Sequence, residues 1–443
     1  MATYGDRPAV VSAGGVTTYD DVRAATEMWA RRLDDNGIGA GLVVGVIADF
    51  SPDACALLLA LLDVGAIVVP LTVTNATHHD EFLGLATASA VFRLGADGEW
   101  AIERRDHTVT NEHLLKLIER SHPGLVVFSS GTTGASKGMV HDGHRLLLKF
   151  RIKRQGLVTL TFLLFDHLGG INTLLYTLSN GGTVVTTQDR DPEAVCALVE
   201  RHRVQLLPVS PTFLGLLLMS GAHRRHDLSS LELITYGTEV MPQTTLDRIR
   251  EEFPHLRLQQ TYGLSEVGVL RTKSREDGSL WLKVGGEGVE TKIVDGRLHI
   301  RSEWAMLGYI NAPDPFDEDG WFDTQDEVEV DGEFIKILGR DTDIINVGGN
   351  KVYPAQVESA LLEIDHIVDA VAFGEPNPIT GQIVAAQVVL DRPESGSDVL
   401  RRVRRAARDR LERFMIPARI EVVERTEVGD RFKKVRAGGR RRE

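Results

Sequence analysis

Residues 126–138 read Val126-Val127-Phe128-Ser129-Ser130-Gly131-Thr132-Thr133-Gly134-Ala135-Ser136-Lys137-Gly138. An apolar, β-branched run delivers the chain into a loop of small hydroxyl and glycine residues, and one lysine closes it. Backbone N–H groups and Ser/Thr hydroxyls in such a loop can surround phosphate oxygens, while glycine lets the main chain come close. The loop is not of the Walker type, because no Gly-Lys-Ser/Thr follows at the required spacing. Two or three such residues would make an ordinary polar turn. Thirteen in this order point to a phosphate site.

Upstream of the loop the chain alternates helical and strand patterns. Thr18-Tyr19-Asp20-Asp21 precedes Val22, Ala25, Met28, Trp29 and Leu33 at helical spacing, and Gly37 stops that helix. A buried strand over 42–48, a helix over 52–64 and a strand over 66–71 follow. Residues 93–110 are polar and irregular, and a helix over 111–120 leads into the loop. Downstream the alternation resumes: strand 182–185, helix 192–202, strand 204–209, then a Ser210-Pro211-Thr212 cap on helix 213–219. Such alternation builds an α/β domain, a parallel sheet with helices on its faces. From residue 281 the period becomes two, with Asp295-Gly296 and Asp331-Gly332 as hairpin turns. The expectation is a large N-terminal domain over 1–340, built of βαβ layers with a small β-rich subdomain over about 281–340. Residues 355–363, 366–373, 383–390 and 398–413 read α-β-β-α, a small mobile α+β C-terminal domain over 341–443.

Composition narrows the function. At 443 residues the chain exceeds one ordinary core. The net charge of −13 argues against nucleic acid and anionic membranes as partners, since both repel it. The arginine-rich end, Arg436 to Arg442, reads as a solvated, frayed tail. Cys55 and Cys196 stand far apart in apolar helical contexts, so buried free thiols are expected rather than a disulfide. The apolar stretch 54–73 is divided by Asp63, Gly65 and Pro70 into a helix and a strand, too short to span a bilayer. The N-terminus shows no basic-then-apolar leader pattern. A reducing, cytoplasmic setting is the expectation.

Further motifs lie downstream. Phe162-Leu163-Leu164-Phe165-Asp166-His167-Leu168-Gly169-Gly170 reads as a strand ending in an acid, a histidine and two glycines, where a parallel sheet exposes ligand-binding residues. A lone histidine there is more often structural. Gln260-Thr261-Tyr262-Gly263-Leu264-Ser265-Glu266 follows a strand; the tyrosine offers a flat face to a purine, the serine a hydroxyl to phosphate, and Glu266 a carboxylate to Mg²⁺. Arg340 in Gly339-Arg340-Asp341 can donate a bidentate fork to a ribose.

Together these segments resemble the adenylate-forming superfamily of acyl-CoA synthetases, luciferases and peptide-synthetase adenylation domains, over residues from about 17 to 436. The resemblance implies ATP binding by Ser129, Ser130, Gly131, Thr132, Thr133, Gly134 and Lys137, with Gly237, Thr238 and Glu239 on the adenine side. It also implies roles for Tyr262, Gly263 and Ser265, and a grip of Asp326 on the ribose hydroxyls beside Arg340, although Gln325 replaces the usual glycine before Asp326. Asp166, His167 and Gly169 would line the acyl pocket, with Asp166 standing where the family has an aromatic residue. Asp341 would be the hinge, and the loop over 346–354 the segment that reaches the site in the second half-reaction. The usual Gly-Lys-x-x-Arg ending has its counterpart in Phe432-Lys433-Lys434-Val435-Arg436, with Phe432 in place of glycine. Lys433 is then the catalytic lysine and Lys434 the fallback.

The reaction implied is an AMP-forming ligation. An oxyanion attacks the α-phosphorus of ATP, so catalysis consists of holding two anions together. Mg²⁺ on Glu266, the hydroxyls of Ser129, Thr132 and Thr133, and Lys433 would supply that charge. A carboxylic acid, then transfer to CoA or another thiol, is the first expectation. The compressed stretch 144–162 and Asp166 keep open a second, activation of nitrite for transfer to an aryl amine, as diazotases of this superfamily do. A non-catalytic nucleotide sensor would have lost Lys433 or Glu266, and both are present.

Overall fold

The computed structural model describes residues 3–95, 98–129, 136–429 and 431–436. Ser130, Gly131, Thr132, Thr133 and Gly134, all expected at the nucleotide, lie outside the described residues.

Two seven-stranded sheets build the large domain. The first runs Arg257–Gln260, Leu233–Tyr236, Leu206–Val209, Val158–Thr161, Thr183–Thr186, Pro8–Ser12 and Gly15–Thr18, parallel except for the last hairpin. The second holds Gly124–Phe128, Ile67–Leu71, Val43–Ile47 and Ala90–Leu94 in parallel, flanked by antiparallel Gly138–Asp142 and Trp100–Arg104. Helices Tyr19–Asp35, Pro52–Asp63 and Leu168–Ser179 fill the space between the sheets, where Trp29, Leu57 and Leu174 share a core with Val44, Val127 and Val184. Val43 and Ile47 face the other way, onto Phe82, Leu114 and Leu117. Leu207 and Ile234 pack on Leu214, Leu246 and Ile249 of another outer helical layer. Sheets covered on both faces explain why these strands read as unbroken apolar runs. Caps set the helix starts: Thr18, Ser51 and Ser210 accept the N–H groups of Asp21, Ala54 and Phe213, each worth about 1 kcal/mol.

A six-stranded antiparallel sheet follows, beginning at Thr272 rather than at 281 and ending with Phe322–Asp331 and Phe334–Arg340. The C-terminal part is a smaller five-stranded sheet in which Gly381–Leu390 pairs with Ile367–Asn377 and with Arg419–Val422, under helices Pro354–Leu362 and Gly396–Ala406. The α-β-β-α expectation therefore misses strand Arg419–Val422 and the hairpin Ile345–Val347/Asn350–Val352. Among the described residues, no helix is long and apolar enough to cross a membrane.

One local difference matters for the site. The strand expected through Phe165 ends at Thr161, and Gly169 and Gly170 lie in the first turn of helix Leu168–Ser179. His167 is the N-cap: its Nδ1 accepts the Gly169 N–H at 3.0 Å. A Cβ on Gly170 would collide with the Leu164 carbonyl oxygen, so only glycine allows this turn to close.

Candidate active site

The loop that opened the sequence has its base in view. Ser129 N–H donates to the Lys137 carbonyl at 3.0 Å, and Lys137 N–H donates to Ser129 Oγ at 3.1 Å. The Lys137 ammonium sits 5.0 Å from the centroid of the Tyr309 ring. Tyr309 in turn donates its hydroxyl to Glu266 Oε1 at 2.8 Å, and the Glu266 carbonyl accepts the Met306 N–H at 2.8 Å. One aromatic ring thus joins the first motif to the second. Tyr309 carries no sequence signal; it lies on a two-residue strand paired with Gly138–Asp142.

Tyr262, Asp326 and Arg340 converge. The buried Asp326 carboxylate accepts the Tyr262 hydroxyl at 2.5 Å and Arg340 Nε at 3.2 Å. Burial pushes the Asp326 carboxyl up and Arg340 opposes it. Gln325, expected to be a glycine from the family resemblance, takes φ +60° in the turn before Asp326, a left-handed conformation that glycine adopts freely. Gly263 and Ser265 belong to the hairpin Tyr262–Leu264/Gly268–Leu270 and its turn. Asp341 begins the exposed turn Asp341–Asp343 directly after Arg340. Gly237 packs against Thr261: a Cβ there would meet Thr261 Oγ1 at 2.5 Å. Thr238 has φ +71°.

Glu239, expected on the adenine side, also ties down the tail. Its Oε2 accepts Thr212 Oγ1 at 2.5 Å and its Oε1 accepts the Lys434 N–H at 2.9 Å. Ser210 Oγ donates to the Phe432 carbonyl at 2.6 Å. These two bonds bracket Lys433. Phe432, the second non-glycine at a family glycine position, has φ +51°, a conformation costing about 1–2 kcal/mol outside glycine. Its half-buried ring lies 4.9 Å from Phe162 and 6.3 Å from Phe213, centroid to centroid, and these contacts offset part of that strain.

The two lysines have different surroundings. Lys434 donates to Asp369 at 2.9 Å and to the Ala370 carbonyl at 2.6 Å. Burial lowers the basicity of Lys434, but Glu358 and Asp369 raise it more. Lys433 lines a cavity with His167, and burial lowers its basicity with Arg340 and Arg431 adding to the effect. Arg436 is no solvated tail: it pairs at 3.1 Å with Glu358, which is 1% exposed. A carboxylate already desolvated in the C-terminal core recruits that cation.

At the expected acid end, Asp166 is 5% exposed, its Oδ1 has no hydrogen-bond partner among the described residues, and its Oδ2 lies 3.7 Å from the Arg431 guanidinium. Burial raises the Asp166 carboxyl and Arg431 opposes it. Arg431 also donates to the Phe128 carbonyl at 3.0 Å. Burial pushes His167 down to about 3, with Arg431 and Lys433 adding to it. The imidazole is neutral, and because Nδ1 accepts, its proton is on Nε2. Arg190, which the sequence did not single out, donates Nε to the Phe162 carbonyl at 2.6 Å and interacts with Asp49 and Asp166. His167, Arg190, Lys433, Phe162, Leu163 and Phe432 leave a cavity of ≈ 10 Å³, about the space of one water. A roomier cleft of ≈ 260 Å³ between helices Pro211–Ser220 and Pro354–Leu362 is lined by ion pairs already made, Lys434–Asp369 and Arg436–Glu358.

Mg²⁺ is commonly held by one or two carboxylates together with substrate phosphates. Glu266 fits that use, with Oε1 oriented by Tyr309 beside Lys137. An all-protein metal cage does not exist among the described residues. The loop over 346–354 is apart from Lys433: Lys351 and Tyr353 bond Glu327 on the six-stranded sheet.

Residues 1–310 match the family model described as AMP-binding enzyme, and residues 356–430 match the AMP-binding enzyme C-terminal domain. An indenyl-propanoyl:CoA ligase of Mycobacterium tuberculosis is 29% identical over 83% of this chain and 82% of its own length. The solved anthranilate CoA ligase AuaEII in complex with anthranoyl-AMP superposes with TM-score 0.84 at 20% identity, covering 98% of this chain and 94% of that one. The amide bond synthetase McbA from Marinactinospora thermotolerans gives 0.77 at 23%, covering 98% and 96%.

Proposed function

The chain belongs to the AMP-binding enzyme family, as an AMP-forming acid ligase, and from that premise we propose that it adenylates a small carboxylic acid and passes the acyl group to CoA or another nucleophile. The observation that carries this reading is Lys433, which lines one cavity with His167 and is held in register by the bonds of Ser210 and Glu239 to its two neighbours.

In the first step an acid oxygen bonds to the α-phosphorus of ATP while the bond to the β-phosphate bridging oxygen breaks and pyrophosphate leaves. Lys433 spans the attacking oxygen and the α-phosphate, where negative charge from both reactants meets. Ser129, Lys137 and the hydroxyls of Thr132 and Thr133 serve the phosphates, and Tyr262, Asp326 and Arg340 serve the nucleoside. Glu266 would hold a Mg²⁺ ion, which would supply further neutralisation of the phosphates. Neutral His167 donates its Nε2–H towards the acid without adding charge that would compete with Lys433. In the second step a thiol or amine bonds to the acyl carbon, loses a proton, and AMP departs. Rotation of residues 341–443 about Asp341 would exchange Lys433 for the loop over 346–354 between the steps.

A second reading is activation of nitrite for transfer to an aryl amine. The ≈ 10 Å³ cavity and the cations Arg190 and Arg431 that line it favour a small oxyanion. ATP–pyrophosphate exchange against short aliphatic, aromatic and amino acids plus nitrite tests both. Exchange with a short acid supports the first reading and with nitrite the second. No exchange with any of them overturns both.

A further inference from the structure

We propose that Phe432 is a specificity-determining residue, whose ring closes the acid pocket so that only a small oxyanion fits beside Lys433. The inference rests on the reading of the cavity as the acid site.

Three observations meet at this residue. Phe432 holds a left-handed backbone at φ +51°, which a bulky side chain adopts only when its surroundings impose it. The Ser210 hydroxyl supplies part of that constraint through its 2.6 Å bond to the Phe432 carbonyl. The ring sits among large-domain residues although it belongs to the C-terminal tail: it packs with Phe162 at 4.9 Å and Phe213 at 6.3 Å, and joins the core made by the first sheet and its outer helices. The same ring lines the cavity with Phe162, Leu163, His167 and Lys433.

A backbone of this shape needs no side chain at all, since glycine takes it without strain. Glycine would leave the ring's whole volume open to the cavity, next to apolar Phe162 and Leu163. Space of that kind is what an alkyl chain or an aryl ring would occupy. With Phe432 present, the room left is ≈ 10 Å³. Size selection here comes from the catalytic tail itself, one residue before the lysine, rather than from the walls of the large domain. Pocket end and lysine arrive on one peptide.

The test is ATP–pyrophosphate exchange by the full chain and by Phe432→Gly and Phe432→Leu, against nitrite, acetate, propionate, butyrate, hexanoate and benzoate, with thermal melting of each variant. Phe432→Gly is expected to raise kcat/KM for hexanoate or benzoate, relative to the best wild-type substrate, at least tenfold. Phe432→Leu gives a smaller gain that stops at shorter acids and serves where the glycine variant does not fold. A merely structural role lowers all substrates alike and leaves their ranking unchanged, and that result overturns the proposal while the wild-type exchange still stands. Absence of exchange by the wild type with every oxyanion overturns instead the reading of the cavity on which the proposal rests.

Discussion

Lys434 and Asp369 form an ion pair at 2.9 Å with each side chain 10% exposed, whereas Lys433, the next residue back, makes no ion pair among the described residues. Two adjacent lysines thus divide two tasks. Lys433→Ala is expected to lower adenylate formation by orders of magnitude with ATP affinity little changed, because a contact strongest in the transition state is lost. Lys434→Ala is expected to lower the melting temperature instead, since an unpaired buried carboxylate costs about 3–5 kcal/mol. Pyrophosphate exchange and calorimetry on the two variants check this, and exchange lost in Lys434→Ala with Lys433→Ala active would reverse the assignment.

Glu358 gives a pH signature. Burial works against its charge, but Arg436 and Lys434 outweigh it and hold the carboxyl below the ordinary value of 4.5. The sign follows from the lowered folded-state value: the stabilisation is complete above about pH 4.5 and disappears as pH falls through the folded-state value. Glu358→Gln should melt well below wild type at neutral pH, and the gap should narrow in acid below 4.5. A gap independent of pH would show that the pair contributes no charge-dependent stability.

Asp341→Pro is expected to slow transfer to the acceptor more than adenylate formation. Arg340 is extended, with φ −85° and ψ 145°, the conformation favoured before proline, so the substitution stiffens the turn without blocking the fold. Single-turnover measurement of each half-reaction decides, and equal loss in both would count against a hinge here.

Asp166→Ala should change which acid or amine is accepted while KM for ATP stays within about threefold, or about 0.6 kcal/mol. The buried Oδ1 has no partner among the described residues and Arg431 lies 3.7 Å from Oδ2, so removing the charge should alter the polar end of the site and not the nucleotide side. Lost ATP affinity with an unchanged substrate profile would place Asp166 on the nucleotide side or in the framework.

How much of this was legible before the structure depended on the kind of signal. Strands such as Val43–Ile47 and helix Pro52–Asp63 were readable because burial on both faces leaves unbroken apolar runs. Trp100–Arg104 was not, since an edge strand with Glu103 and Arg104 exposed shows no apolar alternation. Tyr262, Asp326 and Arg340 were found through motifs, and the structure brings them together. Tyr309, Arg190 and Asp49 escaped, because each enters the site from a segment without a motif and matters only through spatial neighbours. The hydrogen bonds of Glu239 to Thr212 and the tail could not be read from its loop, because their partners are distant in sequence. Gln325 and Phe432 looked like departures in side-chain identity; the left-handed backbone each adopts, which suits glycine, is invisible in sequence.

The tail over 431–436 is bonded in two directions: Ser210 and Glu239 hold it from the large domain, Asp369 and Glu358 from the small one. Such a tether couples the tail to both domains at once. A half-released tail leaves Glu239 or Glu358 short of a donor while keeping the strain at Phe432, so intermediate positions are poor ones and the chain favours all-or-none engagement. The same logic governs melting. A chain ending before residue 431 loses these bonds and should melt at a lower temperature, while Lys351 and Tyr353 on Glu327 and Ser359 on Thr244 still join the two domains.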